Sequence, residues 1–297
     1  MSLIDGILLL DKSIEMTSNA ALQKAKRLFG IKKAGHTGSL DPLATGMLPI
    51  CFGEATKFSQ FLLESDKYYR VTAQLGIKTA TGDAEGEIIA SRPVENVTAS
   101  RLEILFQQFT GEIEQIPPMF SAIKQNGRPL YELARKGITV ERKSRTVQIY
   151  RLQLIGFQDD HVEMEVHCSK GTYIRTLVED IGESLGCGAF VSQLRRLAVA
   201  PYSNQKMYSL DDLSKIQEND SAGLVSLLLP IDTALQKLPI VKLISASAFY
   251  FRTGQAVTVQ NAPREGLVRV LDENEKFMGI GEILEDGRVT PKRLVAS

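Results

Sequence analysis

The sequence predicts an α+β fold, with a central, mainly antiparallel mixed sheet flanked by helices and followed by a small all-β appendage. Three observations predict it. Apolar and polar residues alternate along several short runs, most cleanly from Tyr68 to Leu75, where Tyr69, Val71, Ala73 and Leu75 share one face. Helical runs interrupt the extended ones without the regular alternation of a doubly wound sheet. Beyond Leu238-Pro239 the chain becomes short β-like pieces separated by turns. That change divides the sequence into residues 1–238 and 239–297.

In order, Gly6 to Lys12 reads as a buried strand ending in the charged pair Asp11-Lys12. Thr17-Ser18-Asn19 offers caps for a helix carrying Leu22, Ala25, Leu28 and Phe29 at helical spacing, and Gly30 ends it. Gly35 to Gly46 holds three glycines and a proline in twelve residues, so it is neither an ordinary helix nor an ordinary strand. It precedes the apolar run Met47 to Gly53. A rigid loop seated on a core would fix its one carboxylate, Asp41, in space. The same local pattern also suits a tight connection in which Asp41 merely caps a turn before Pro42.

Tyr69 points with the core residues, where it either walls a pocket or fills the core. A polar turn, Thr79 to Glu87, leads to a helix capped near Ser100, with Leu102, Leu105, Phe106 and Phe109 buried. Residues 116–137 are irregular, broken by Pro117, Pro118, Gly127 and Pro129. There Lys124, Arg128, Arg135 and Lys136 oppose the single acid Glu132, with Phe120 and Tyr131 interleaved. Such a segment suits a flap that closes on RNA; an exposed loop with solubilising charge has the same composition. Thr146–Ile155 and Val162–Cys168 form a predicted hairpin around Gln158-Asp159-Asp160. Ile174, Leu177, Val178, Ile181 and Leu185 make a helical stripe closed by Gly186, which places Tyr173 and Arg175 at a strand-to-helix junction. Val191 to Val199 is a further strand, and Asp211 to Asp220 an acidic helix. In the last unit, strands are expected at Val257–Val259, Leu267–Val270, Gly279–Ile283 and Arg288-Val289.

Composition narrows the class. The 297 residues are 43% hydrophobic and 24% charged with zero net charge, so only charge placement can argue for a nucleic-acid partner. Between Met16 and Leu40 there is no acid, but there are Lys24, Lys26, Arg27, Lys32 and Lys33. That basic run, the flap cations and Arg195-Arg196 are expected on an RNA-facing side, with Asp83 to Glu87 and Asp211 to Asp220 away from it. Cys51, Cys168 and Cys187 show no paired spacing, which favours a reduced, cytoplasmic protein. His161, His167 and Cys168 lack a fourth ligand, so no metal is expected. No apolar run is long enough for a membrane span, and no phosphate-cradling glycine motif supports a nucleotide cofactor.

His36 and Asp41, Tyr69, and Tyr173 with Arg175 therefore come from three separated segments. A carboxylate, a guanidinium and aromatic rings suit chemistry on a planar base attached to a sugar. Arg175 would keep Asp41 ionised, and an ionised carboxylate near an anomeric carbon can act as nucleophile or stabilise an oxocarbenium. The rings would stack on a flipped base. The residues alone reach base or sugar chemistry on RNA.

These residues also carry a resemblance. GHTGSLDPLATGMLPICFGEATKF, from Gly35 to Phe58, resembles the signature of bacterial tRNA pseudouridine-55 synthases. The likeness continues through Asp66–Val71, Ile116–Ala122, His167–Arg175, Leu194–Leu197 and Glu265–Val270. It implies the pseudouridine-synthase fold with a PUA-like RNA-binding domain at 239–297, and isomerisation of the T-loop uridine without a cofactor. Asp41 would be the catalytic aspartate and Arg175 its partner. Tyr69 would stack on the uracil and help move the C5 proton. His36, Tyr173 and Leu194 would contact the substrate, as would Lys12 of the first motif. The partner implied is the T stem-loop of tRNA, met by a monomer. One departure stands out. The family's first motif reads Lys-Pro followed shortly by Gly, whereas this chain has Lys12-Ser13-Ile14-Glu15-Met16. Two other functions share these features: a tRNA-folding chaperone with secondary chemistry, and a nucleoside hydrolase releasing free uracil.

Overall fold

Residues 4–125, 127–220 and 222–296 are described here from a computed structural model of the chain. The first half of the central sheet comes from Gly6–Lys12 (β1), Ala34–His36 (β2), Thr45–Phe52 (β3) and Lys67–Leu75 (β4). After Ala99–Gln108 (α2, following α1 at Ser18–Leu28) come Gly111–Gln115 (β5), Arg145–Gln158 (β6) and His161–Cys168 (β7). Ile174–Leu185 (α3) leads to Ala189–Val199 (β8), and Leu210–Asn219 (α4) follows. The spatial order is β1-β3-β8-β4-β7-β6-β5, with β2 paired to β3. Every pairing is antiparallel except β3 with β8, where Thr45 and Gly46 lie against Arg195 and Arg196. The sheet is mixed and mainly antiparallel, as the strand order predicted.

Alternation assigns the two faces. Leu8, Leu10, Leu48, Ile50, Tyr69, Val71, Ala73, Met164 and Val166 pack with the apolar stripes of α1, α2 and α3 in one core. Ile7, Leu9, Met47 and Cys51, of opposite parity, pack on the other face with Phe58, Leu62, Tyr202 and Leu235. Ile280 of the C-terminal unit joins that second core.

The C-terminal unit is a four-stranded sheet of Ile240–Leu243 (β9), Leu267–Asp272 (β10), Phe277–Ile283 (β11) and Val289–Leu294 (β12), in that order. It carries one element that the strand-like reading did not anticipate, the helix Ser245–Arg252 (α5), which buries Ala248 and Phe251 one turn apart. The expected strand at Val257–Val259 reduces to a single bridge between Val257 and Val289, because the chain turns at Asn261 with φ +55°. Upstream, Thr98 and not Ser100 caps α2, its hydroxyl accepting from Arg101 N.

Candidate active site

The loop from Gly35 to Gly46 connects β2 to β3, and buried polar groups hold it along its length. The Ser18 hydroxyl accepts from Leu40 N at 2.7 Å and donates to Leu40 O at 3.0 Å. Lys12, only 1% exposed, donates through Nζ to the carbonyls of Ser13, Met16 and Pro42 at 2.9, 2.6 and 3.2 Å. Arg196, also 1% exposed, donates through Nε to Met47 O at 2.7 Å and through Nη2 to Gly38 O at 3.1 Å. Burial brings the Lys12 ammonium down to about 8, with Asp41 and Glu85 opposing. Gly46 closes the loop at φ +98°, where a Cβ would meet the Arg196 carbonyl oxygen at 2.2 Å. Only glycine permits β8 to lie that close in parallel register.

The departure from the first motif falls in the turn that Lys12 braces. Glu15 adopts φ +62°, a conformation that glycine takes most easily, and its N–H donates to Pro42 O at 2.9 Å. The turn therefore forms, in a backbone region unfavourable to a side-chain-bearing residue.

Asp41 and Arg175 meet as the residue types suggested. Arg175 Nε lies 3.0 Å from Asp41 Oδ2, with the Asp41 side chain 40% exposed and that of Arg175 6% exposed. The remaining Arg175 donors point elsewhere: Nη1 to Thr81 O at 2.9 Å and to Asp83 Oδ2 at 3.4 Å, Nη2 to Phe120 O at 2.7 Å. The guanidinium is thus fixed on every side, and one carboxylate remains open to a ligand. Burial of the site pushes the Asp41 carboxyl up from its ordinary value; Arg175 opposes this and Asp83 adds to it.

Asp83 was expected away from the RNA-facing side and lies instead in this network, 2% exposed. A short acidic turn reads as a solvated face, and nothing local shows that one of its acids folds inward. Arg196 is the second correction: it is buried under the loop, while Arg195 forms a bidentate pair with Asp11 at 2.8 and 3.0 Å. Alternation along β8 sends neighbouring arginines to opposite sides.

The other candidates lie around this pair. Tyr69 is in the core with 9% exposure; burial raises its phenol and the nearby Arg196 cation opposes. Leu194, opposite Val71 in register, is 8% exposed. Tyr173 is half-buried at the N-cap of α3, its phenol raised by burial. His36 is half-buried on β2, its Nδ1 is buried without a partner, and burial and Arg196 together lower its pKa. The imidazole therefore stays neutral near pH 7. Lys12 is enclosed, so its role at the site runs through the loop backbone.

Comparison with known families identifies the chain. Residues 26–174 match the N-terminal domain of the TruB family of pseudouridylate synthases, residues 175–236 the tRNA pseudouridylate synthase B C-terminal domain, and residues 239–295 the C-terminal domain of pseudouridine synthase II TruB. The chain belongs to the TruB family of pseudouridine synthases. A curated relative named tRNA pseudouridine synthase B from Coxiella burnetii (strain RSA 493 / Nine Mile phase I) is 57% identical over 98% of this chain and 95% of its own. Relatives of the same name from Vibrio vulnificus (strain YJ016) and Pseudomonas fluorescens (strain Pf0-1) are 55% and 54% identical over 98% and 99% of this chain and 95% and 96% of theirs. The TruB chain also superposes on solved structures of a Cbf5-Nop10-Gar1 complex (TM-score 0.75, 24% identity, 99% of this chain and 84% of that one) and of an H/ACA RNP bound to a substrate RNA containing 2′-deoxyuridine (0.75, 23%, 99% and 86%). That likeness concerns the fold.

Proposed function

We propose that this TruB-family enzyme isomerises the T-loop uridine of tRNA, position 55, to pseudouridine, acting in the cytoplasm as a monomer. The observation that carries the reading is the half-open Asp41 carboxylate, presented by a braced loop and held at 3.0 Å by a buried arginine. The names of its relatives supply tRNA as the substrate.

In this reading Asp41 attacks C1′, or stabilises the cation formed there, as the N1–C1′ bond breaks. The freed uracil turns within the pocket, C5 bonds to C1′ as any Asp41–C1′ bond breaks and releases the carboxylate, and C5 then loses its proton while N1 gains one. The product is an isomer and needs no co-reactant. Tyr69 lies under the turning base and its protonated phenol helps relay the C5 proton, Tyr173 and Leu194 wall the pocket, and neutral His36 supports the flipped nucleotide. Lys12 acts by bracing the Asp41 loop. Segment 116–137 and the PUA-like residues 239–297 close on the RNA. The three cysteines are buried and free, in keeping with a reducing compartment, and among the described residues no helix is long and apolar enough to cross a membrane.

The test is to incubate the purified chain with unmodified tRNA and map pseudouridine by position. Pseudouridine at the T-loop position without released uracil is expected. Free uracil, or modification confined to other loops, would contradict the reading.

A further inference from the structure

Gln115 is the last residue of β5 and the root from which residues 116–137 depart. Its side chain is 1% exposed and points away from solvent. Both ends of its amide are used on one residue's backbone: Oε1 accepts from Tyr173 N at 3.0 Å, and Nε2 donates to Tyr173 O at 3.2 Å. Tyr173 is the N-cap of α3 and its side chain provides no cap, so Gln115 supplies the cap from across the sheet. Two residues further on is Arg175, whose Nε holds Asp41 and whose Nη2 donates to Phe120 O, five residues along the flap from Gln115. The flap, the start of α3 and the Asp41–Arg175 pair therefore form a closed ring of contacts with Gln115 as its hinge. No fold rule demands a glutamine at this position. An apolar residue would end β5 equally well, and burial of an amide is tolerated only because both of its polar ends are matched.

We propose that Gln115 is a positioning residue for the reaction, locking the Tyr173 backbone so that Arg175 stays set between Asp41 and the Phe120 carbonyl. The proposal rests on the catalytic reading of that pair, and the rate of Asp41→Asn tests that reading separately. Misplacing a catalytic group by about an ångström can cost on the order of a hundredfold in rate without a comparable loss of binding. Gln115 acts through Arg175, so its removal matters only while Arg175 is present to be misplaced.

The experiment measures single-turnover pseudouridine formation and RNA affinity for Gln115→Met, in the natural background and in Arg175→Lys. Gln115→Met keeps the volume and removes both hydrogen bonds. In the natural background a fall of about tenfold or more in the rate constant is expected, with Kd changed less than about threefold. In Arg175→Lys the same substitution should change the rate by less than about twofold. Gln115→Glu provides a second reading should Gln115→Met fold poorly. Its protonated carboxyl reproduces one donor and one acceptor, whereas its ionised form faces the Tyr173 carbonyl without a proton. Its rate relative to the unaltered enzyme should therefore climb as pH is lowered, with Arg145 (opposite in register), Tyr173 and Arg175 the ionisable neighbours common to both proteins. A rate within twofold of natural for folded Gln115→Met, equal losses in both Arg175 backgrounds, or a pH-independent ratio for Gln115→Glu would overturn the proposal.

Discussion

Asp41 combines two requirements that oppose each other. To attack a sugar carbon it must be ionised, yet burial of the site raises its pKa above the ordinary 3.8, with Arg175 the chief opposing charge. The sign follows directly. In the proposed role the active form is the deprotonated one, so activity should be lost as pH falls through a pKa higher than that of a free aspartate. A pH profile of the single-turnover rate should place the acid limb above 3.8. Arg175→Leu should move that limb to still higher pH, beyond its effect on the maximal rate, because the opposing cation is gone. An acid limb unmoved by Arg175→Leu would show that Asp41 is not the titrating group. The pairing of Asp41 with Arg175 was legible in the sequence because one loop carboxylate and one junction guanidinium stood out by type. Asp83, Gln115 and Arg196 were not legible, since their importance comes from burial in tertiary contacts and their local surroundings look like ordinary turn, strand end and basic pair.

At the level of elements, a continuous apolar run located β1, alternation located β4 and β7, and a helical stripe located α1 and α3 in the sequence. α5 was missed because eight residues with three aromatics resemble a strand more than a helix. One joint between elements is visible only in three dimensions. Glu54, in the 3-10 turn Gly53–Phe58, accepts from Lys33 Nζ at 3.1 Å, Lys57 Nζ at 2.5 Å and Ala296 N at 2.7 Å, tying the residue before β2 and the Asp41 loop to the residues after β12. Burial alone would raise its pKa, but these hydrogen bonds from Lys57, Ala296 and Lys33 outweigh it and hold the carboxyl at about 2. Because the folded-state pKa lies below the ordinary 4.5, the stabilisation is complete above that pH and disappears as pH falls toward about 2. Glu54→Gln should cost about 1–3 kcal/mol at neutral pH in denaturant melts, with the difference shrinking in acid. A difference independent of pH would remove the charge from this account.

At the scale of the molecule, zero net charge conceals an acid-free stretch between Met16 and Leu40 with five cations. Gln23, Lys26, Arg27, Gly30, Ile31 and Lys32 line an open groove of about 640 Å³ at the end of α1, while Lys33 is held by Glu54. The groove lies in the basic run that precedes the Asp41 loop in sequence, and under the proposed function it would take RNA phosphates. Arg27→Glu with Lys32→Glu should weaken tRNA binding and reduce the slope of log K against log salt by about 1 to 2, leaving the rate at saturating tRNA within about threefold. Unchanged affinity and slope would place the RNA elsewhere. The overall architecture was readable from patterning because β4 and β7 bury one face and leave the other more exposed, which imposes period two, while β1 and β3, buried on both faces, are continuous apolar runs. The packing of the C-terminal unit through Ile280 was not, because nothing in a strand's own alternation says which sheet covers it.

The central claim is that the open carboxylate of Asp41 performs the isomerisation. Asp41→Asn keeps the size of the side chain and removes the anion. With a T stem-loop RNA under single-turnover conditions, pseudouridine formation should fall by about four orders of magnitude or more, to background, while RNA affinity stays within about threefold. Pseudouridine formed by folded Asp41→Asn at a rate near that of the unaltered enzyme would contradict the account.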